Sequence, residues 1–167
     1  MELRIAGTIS ESIVDGPGFR YVIFTQGCPH HCPGCQNPQT HPFEGGELRD
    51  TDELMQEMLQ DSLNCGFTFS GGEPFCQPKP LAELAKRAHD KGKNVFCYTG
   101  YTYEQLMEHP DDSVRELLRQ VDILVDGRYE EAQRDLTLRF RGSRNQRLID
   151  VRRTMQQNEI VLWESSY

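Results

Sequence analysis

Long apolar runs are missing from this sequence. Its 167 residues are 37% hydrophobic and 26% charged, with a mean hydropathy of −0.65. No stretch approaches the roughly 20 apolar residues that a membrane-spanning helix requires. Charged side chains follow the first residue at once, at Glu2 and Arg4, so no signal peptide is predicted. We therefore expect a cytoplasmic protein that does not associate with a membrane.

An excess of positive charge is also missing. Lysine and arginine number 18 against 26 acidic residues, which gives a net charge of −8 and a pI near 5.1. No basic run is long enough to follow a phosphate backbone, so nucleic-acid binding is not predicted. One group of arginines is either a solvated surface or a site for an anionic ligand or an acidic partner: Arg128, Arg134, Arg139, Arg141, Arg144, Arg147, Arg152 and Arg153.

The sequence offers no Ser/His/Asp constellation and no paired carboxylates, which nucleophilic and acid–base catalysis commonly use. Its six cysteines are not expected to form disulfides, because cytoplasmic thiols stay reduced. Three of them are scattered, with no spacing that predicts a site: Cys65, Cys76 and Cys97. The other three lie close together and form the most informative motif of the chain.

Cys28, Cys32 and Cys35 form a C-x3-C-x2-C motif on a loop rich in proline and glycine. Three thiolates at this spacing suit a metal, and a 4Fe-4S cluster held by only three leaves one iron open to a reactant. The missing second cysteine pair favours this cluster over a zinc site. The zinc alternative needs a fourth ligand, which a neighbouring histidine could supply: His30, His31 or His41.

Apolar runs of strand character alternate with amphipathic stretches along the chain. The predicted strands are 20–26, 66–70, 95–98 and 123–125, with closing strands at 148–151 and 160–163. The predicted helices are 51–63, 80–91, 103–108 and 112–120, and residues 129–146 are predicted to form a long loop. This alternation predicts a single α/β domain over residues 1–167 with a mostly parallel sheet. About five βα units are too few for a full barrel, so a partial, open (β/α) barrel is expected.

The segment Ser70-Gly71-Gly72-Glu73-Pro74 follows a predicted strand. Parallel βα folds bind ligands at the carboxyl ends of their strands. Two glycines let the backbone approach a ligand closely, and the Glu73 carboxylate can accept hydrogen bonds from an ammonium group. Since Thr99 and Asp126 end the next two strands, we expect them on the same rim as the cysteine loop.

Together these motifs resemble those of the radical S-adenosylmethionine (SAM) enzymes, which carry C-x3-C-x2-C followed by a Gly-Gly-Glu-Pro type of segment. Within them the chain is similar to the activases of glycyl radical enzymes, whose lead-in resembles residues 12–20. The closest resemblance is to the branch that activates anaerobic ribonucleoside-triphosphate reductases. It extends over most of the chain and rests on residues 28–35, 98–101, 125–129 and 140–146.

The resemblance implies a role for each motif. Cys28, Cys32 and Cys35 would hold three irons of one 4Fe-4S cluster, whose open iron binds the amino and carboxylate groups of SAM. The segment Gly71, Gly72 and Glu73 would meet the methionine amino group. The other implied contacts with SAM are Gly34 and Gln36 beside the adenine, Asn37, Thr99 and Asp126, and then Arg128 and Asn145 at the carboxylate or ribose.

The resemblance also implies a reaction and its partners. A reduced cluster passes one electron to SAM, which splits into methionine and a 5′-deoxyadenosyl radical. That radical removes a hydrogen from a glycine of the partner enzyme, without a general acid or base. The implied partners are an anaerobic ribonucleoside-triphosphate reductase and an electron donor such as reduced flavodoxin, in a homodimer or in a heterotetramer with the reductase.

Other functions remain open at this point. The chain could activate another glycyl radical enzyme of the pyruvate formate-lyase type. A small-molecule radical SAM enzyme, such as a deazaguanine synthase, would need a substrate pocket that nothing outside the SAM motifs predicts. A zinc-binding or cluster-binding module without activity would not need Gly-Gly-Glu-Pro. The tail Trp163–Tyr167 is predicted to cover the core, with docking of the partner as the alternative.

Overall fold

The computed structural model describes residues 1–164 and shows an open sheet of seven strands with helices packed on one face. The strands are β1 (Glu2–Ser12), β2 (Phe19–Thr25), β3 (Glu47–Asp50), β4 (Asn64–Gly71), β5 (Asn94–Tyr98), β6 (Ile123–Asp126) and β7 (Arg147–Asp150). The helices are α1 (Thr51–Gln60), α2 (Pro78–Asp90), α3 (Tyr103–Met107), α4 (Asp112–Gln120) and α5 (Val151–Gln157). Among the described residues, no helix has both the length and the apolar character needed to cross a membrane.

The strand order is β3-β1-β2-β4-β5-β6-β7. Strands β2, β4, β5 and β6 pair in parallel, while β1 is antiparallel to both β2 and β3, and β7 is antiparallel to β6. Five of the seven strands therefore run in one direction, since β3 shares the direction of β2. The predicted α/β class, with a mostly parallel and open sheet, is confirmed.

Successive side chains of a strand point to opposite faces of the sheet, and the two faces lie in different environments. On one face Phe67, Phe69 and Cys97 are fully buried in the main core, against apolar side chains of α1, α2 and α4 such as Leu54, Leu84 and Leu117. On the other face Phe96 and Val125 belong to a second, smaller cluster. Because no helix of the described chain belongs to that cluster, this face has room for a cleft.

Three elements were not predicted from the sequence. Strands β1 and β3 pair antiparallel at one edge of the sheet, and their sequences Glu2–Ser12 and Glu47–Asp50 are rich in polar residues. Helix α5 begins where a closing strand was expected to continue, because the Asp150 side chain accepts a hydrogen bond of 3.0 Å from the Arg153 amide and caps the helix. These features depend on pairing and capping that local periodicity does not reveal.

The predicted closing strand at 160–163 exists only as an isolated bridge between Ile149 and Leu162. Backbone hydrogen bonds of 2.9 Å from Asp150 to Val161 and of 2.8 Å from Trp163 to Leu148 flank it. The Trp163 ring centroid lies 6.2 Å from that of Phe140, within the smaller cluster. Trp163 therefore covers part of the core as predicted, whereas residues 165–167 of the tail lie outside the described residues.

Candidate functional site

A cleft of about 490 Å³ opens at the carboxyl ends of the parallel strands, on the sheet face that bears the smaller cluster. Its walls come from the loops that follow β2, β4, β5 and β6. Of the predicted site residues, the following line it: Cys28, Cys32, Cys35, Gln36, Asn37, Gly71, Gly72 and Thr99. The chain thus brings the cysteine loop and the Gly-Gly segment together, although 35 residues separate Cys35 from Gly71.

The cysteine loop is held by backbone hydrogen bonds. The Cys28 amide donates to the His41 carbonyl at 3.0 Å, and the Cys35 amide donates to the Cys32 carbonyl at 3.1 Å. The Asn37 amide points at the Cys35 sulfur, 3.4 Å away. Hydrogen bonds to a ligating sulfur are one means by which a protein tunes the reduction potential of a cluster. The hydrogen bonds of this loop therefore suit a cluster, as its cysteine spacing also does.

All three thiols are free of disulfides. Burial raises the pKa of Cys28, and backbone hydrogen bonding near His30 offsets part of the rise. Burial also raises the pKa of Cys32, which the backbone of Tyr129 and the charge of Arg128 partly offset. Both thiols are therefore protonated at neutral pH in the metal-free protein, and binding of iron must release those protons.

Within residues 1–164, no three His, Cys, Asp or Glu side chains are grouped closely enough to hold one metal ion. A 4Fe-4S cluster does not require such a group, because each cysteine thiolate ligates a different iron. Two of the three histidines of the zinc alternative have other positions: the His30 ring contacts Glu73, and His31 is exposed with a φ of 48°. The third, His41, lines the cleft. The donor set thus fits a cluster carried by three thiolates.

The Gly-Gly-Glu segment extends the pairing between β4 and the end of β2. The Gly72 amide donates to Thr25 O at 2.8 Å, and the Glu73 amide donates to Gly27 O at 2.8 Å. A Cβ at Gly72 would lie 2.3 Å from the Gly27 carbonyl oxygen, which is closer than atoms approach. Glycine is therefore required here so that the segment can lie against the start of the cysteine loop.

The Glu73 carboxylate faces the protein instead of the cleft. The residue is 0% exposed, and its oxygens accept from the Thr99 hydroxyl at 2.9 Å, the Gly100 amide at 2.8 Å and the Phe75 amide at 3.0 Å. The His30 Nε2 atom lies 2.7 Å from Oε1 of the same carboxylate. Its predicted contact with the methionine amino group stays a prediction, since four protein groups already surround it.

Four other predicted residues do not line the cleft. Gly34 is exposed with a φ of 74°, and a Cβ there would lie 2.8 Å from the Glu131 side chain. Asp126 is 1% exposed and binds the Arg147 guanidinium and, at 2.8 Å, the Tyr103 amide. These contacts account for the presence of glycine at position 34 and aspartate at position 126 by the packing of the loops.

Arg128 and Asn145 lie together outside the wall of the cleft. The Asn145 side-chain amide donates to the Arg128 carbonyl at 2.8 Å, while the Arg128 side chain is exposed. The Asn145 Oδ1 atom is buried and has no hydrogen-bond partner among the described residues. The predicted contacts of these two residues with SAM therefore stay predictions.

The cleft also contains residues to which sequence reasoning gave no contact with SAM. They include His30, His41, Tyr98, Phe140, Arg141 and Gln146. The position of His30 between two of the cysteines was a usable signal, but its buried partner is 43 residues away. Tyr98 carried a signal as well, because it comes directly before Thr99 at the end of β5.

Comparisons with known proteins now identify the family. A family model described as "4Fe-4S single cluster domain" matches residues 14–149, which include the three cysteines and the Gly-Gly-Glu segment. The anaerobic ribonucleoside-triphosphate reductase-activating protein of Vibrio cholerae is 36% identical over 80% of this chain and 89% of that protein. Its namesake from Enterobacteria phage T4 is 34% identical over 81% of this chain and 86% of that protein. This chain belongs to the family of anaerobic ribonucleoside-triphosphate reductase-activating proteins.

An activating enzyme with a different name is also similar to this member of the reductase-activating family. The pyruvate formate-lyase-activating enzyme of Clostridium pasteurianum is 38% identical over 65% of this chain but over only 49% of that enzyme. Membership of the reductase-activating family confirms the predicted class, an oxidoreductase of the radical SAM activases. It also confirms the predicted cofactors of that class, a 4Fe-4S cluster and SAM.

Proposed function

We propose that this protein places a glycyl radical in an anaerobic ribonucleoside-triphosphate reductase. The observation that carries the proposal is the meeting of Cys28, Cys32 and Cys35 with Gly71 and Gly72 around one cleft. Its volume of about 490 Å³ lies within the range of cofactor sites. When bound, the cluster and SAM supply the 5′-deoxyadenosyl radical that takes a hydrogen from the partner's glycine.

The chain's own residues bind and orient the cofactors. The three cysteine thiolates would hold the cluster, while the backbone of Gly71 and Gly72 forms a wall of the cleft beside the start of the cysteine loop. Because an ammonium group only donates hydrogen bonds, we assign the carbonyl oxygens of the two glycines to the methionine amino group as its acceptors. Glu73 acts behind this wall, by holding the loops that form it. Gln36 and Asn37 lie at the cysteine end of the cleft, where they are available to the adenosyl group.

Aromatic side chains in the cleft are suited to limit the access of water. Phe24, Tyr98 and Phe140 line the cleft, and burial raises the pKa of Tyr98 far above its usual value. A reactive radical must be kept from water and from other hydrogen donors. We assign the shielding of the radical to these three rings and to the glycine loop of the partner, which would cover the cleft.

Electron paramagnetic resonance tests this function directly. Protein reconstituted anaerobically and then reduced with dithionite should give the signal of a 4Fe-4S cluster, and the signal should change on addition of SAM. Incubation with the anaerobic reductase should then produce its glycyl radical. A preparation that holds zinc and no iron would overturn the proposal.

Pyruvate formate-lyase is the second candidate for the substrate, because an activase of that enzyme shares 38% identity with this chain. The same assay with pyruvate formate-lyase in place of the reductase decides between them. We expect a glycyl radical on the reductase alone. A radical formed only on the lyase would reassign the substrate and leave the cluster chemistry intact.

A basic surface beside the cysteine loop supports docking of an acidic electron donor, such as reduced flavodoxin. Within the described residues, the arginines of the loop 128–146 form no ion pair with a carboxylate, whereas Arg49, Arg87 and Arg119 each do. Arg128 lies close enough to Cys32 for its charge to affect that thiol. The loop carries five arginines against three acidic residues, Glu130, Glu131 and Asp135. This net positive charge near the cluster favours a partner of opposite charge.

Reversing this charge should slow reduction by the donor. In a variant with Arg134→Glu and Arg139→Glu, both at exposed positions, we expect reduction of the cluster by reduced flavodoxin to slow by about tenfold at low salt. The difference should shrink at high salt, because salt screens exposed charges. Stopped-flow absorbance measures the rate, and dithionite should reduce the variant and the wild-type protein equally.

The matched control is Lys86→Glu with Lys91→Glu. These lysines are also exposed, but they lie on α2 and just after its end, away from the cysteine loop. The control changes the net charge by the same amount. Equal slowing in both double variants would show that only the net charge matters, and the assigned docking surface would be wrong.

A further inference from the structure

One buried contact joins the cysteine loop to the Gly-Gly-Glu segment through side chains. His30 lies between Cys28 and Cys32, and its Nε2 atom lies 2.7 Å from Glu73 Oε1. The side chains of the two residues are only 4% and 0% exposed. Since a carboxylate only accepts hydrogen bonds, the His30 Nε2–H group is the donor.

The surroundings of His30 are shaped to keep its ring in this place. The ring meets Tyr101 edge to face, with 4.6 Å between the centroids. A Cβ on Gly100 would lie 2.4 Å from His30 Cδ2, so the absence of a side chain at Gly100 makes room for the imidazole. The Gly100 amide donates to the same Oε1 atom at 2.8 Å, and the Thr99 hydroxyl lies 2.9 Å from both oxygens of the carboxylate.

The contact therefore connects loops from three neighbouring parallel strands. His30 belongs to the loop after β2, Glu73 to the loop after β4, and Thr99 to the loop after β5. The cysteines are on the first of these loops, and Gly71 and Gly72 are next to the second. A rigid connection between these two loops sets the distance and orientation of the cluster relative to the backbone of Gly71 and Gly72. We call this backbone the SAM-binding wall.

We propose that His30 is a positioning residue that aligns the open iron of the cluster with the SAM-binding wall through its hydrogen bond to Glu73. The inference rests on the proposed function, because it assigns SAM to that wall. His30 touches neither reactant in this assignment. It acts on SAM by holding the cysteine loop in the orientation that the bound cofactor needs.

Two substitutions of His30, each of which introduces a side-chain amide, separate this positioning role from simple packing. In His30→Gln the amide nitrogen can occupy the place of Nε2 and donate to Glu73, whereas the shorter side chain in His30→Asn cannot reach it. We expect His30→Asn to keep the iron content of the wild-type protein, because all three cysteines remain. Its affinity for SAM should fall roughly tenfold or more, as expected for loss of a hydrogen bond to a charged group. His30→Gln should restore most of that affinity.

Gly100→Ala provides a second test that leaves the imidazole intact. The added methyl group must displace the ring from its place, so this variant should behave like His30→Asn. His31→Asn is the matched control, since His31 is exposed and adjacent to His30. Its ring faces that of His41, with 5.2 Å between the ring centroids. Asparagine also tolerates the left-handed backbone of that position. We expect this control to bind SAM like the wild-type protein.

The readouts are iron content, SAM affinity by equilibrium dialysis, and the change that SAM causes in the cluster's resonance signal. Weak affinity and a diminished spectral change in His30→Asn and Gly100→Ala, with both restored in His30→Gln, would support the inference. Equal behaviour of His30→Asn, His30→Gln and the wild-type protein would overturn it while the proposed function stands. If the wild-type protein itself shows no response to SAM, the proposed function fails first.

Discussion

Replacing Cys28, Cys32 or Cys35 with serine, one at a time, is expected to abolish SAM cleavage. Each thiolate carries a different iron, and a hydroxyl is a poor substitute for a soft sulfur ligand. Iron and sulfide content after anaerobic reconstitution should fall together with the cluster's resonance signal. Methionine and 5′-deoxyadenosine, measured by chromatography under reducing conditions, should stay at background.

The other cysteines provide matched controls for these variants. Cys65 is exposed, so Cys65→Ser should retain the cluster and the activity. Cys97 is 0% exposed in the main core, and Cys97→Ala should lower stability without loss of iron. Normal turnover in any single variant of the cysteine loop would remove that cysteine from the ligand set.

The second large effect is expected from Gly72→Ala. The new Cβ would lie 2.3 Å from the Gly27 carbonyl oxygen and 3.0 Å from that of Thr40. Since both neighbours are backbone, the Gly-Gly-Glu segment must move away from the cysteine loop. We expect a loss of about 1–3 kcal/mol in the free energy of unfolding and loss of measurable SAM binding. Chemical denaturation and equilibrium dialysis measure the two quantities separately.

Gly7→Ala is the control for this substitution. Neither Gly7 nor Gly72 has a positive φ, but a Cβ at Gly7 would meet nothing within 4 Å. The same chemical change should therefore leave stability and SAM binding close to their wild-type values. If Gly72→Ala binds SAM as tightly as Gly7→Ala does, the Gly-Gly segment does not form the SAM-binding wall.

Much of the central sheet and part of the site were predictable from local patterns. The apolar runs that became β2, β4, β5 and β6 are buried, and they alternate with helices, which fixes a parallel arrangement by simple connectivity. The edges of the sheet were harder. Strand β3 is short and charged, and it forms only because β1 offers it a partner.

Some features of the site were likewise predictable from local patterns, and others were not. The sequence alone determined the cysteine spacing, the two glycines and the family, because those features are local and are specified by neighbouring residues. Only the tertiary structure decided that Glu73 faces His30 and Thr99, and that Asp126 binds Arg147. Such partners lie 21 to 43 residues apart. Packing of the sheet and its loops chooses them, because a carboxylate pairs with whichever donors the fold places around it.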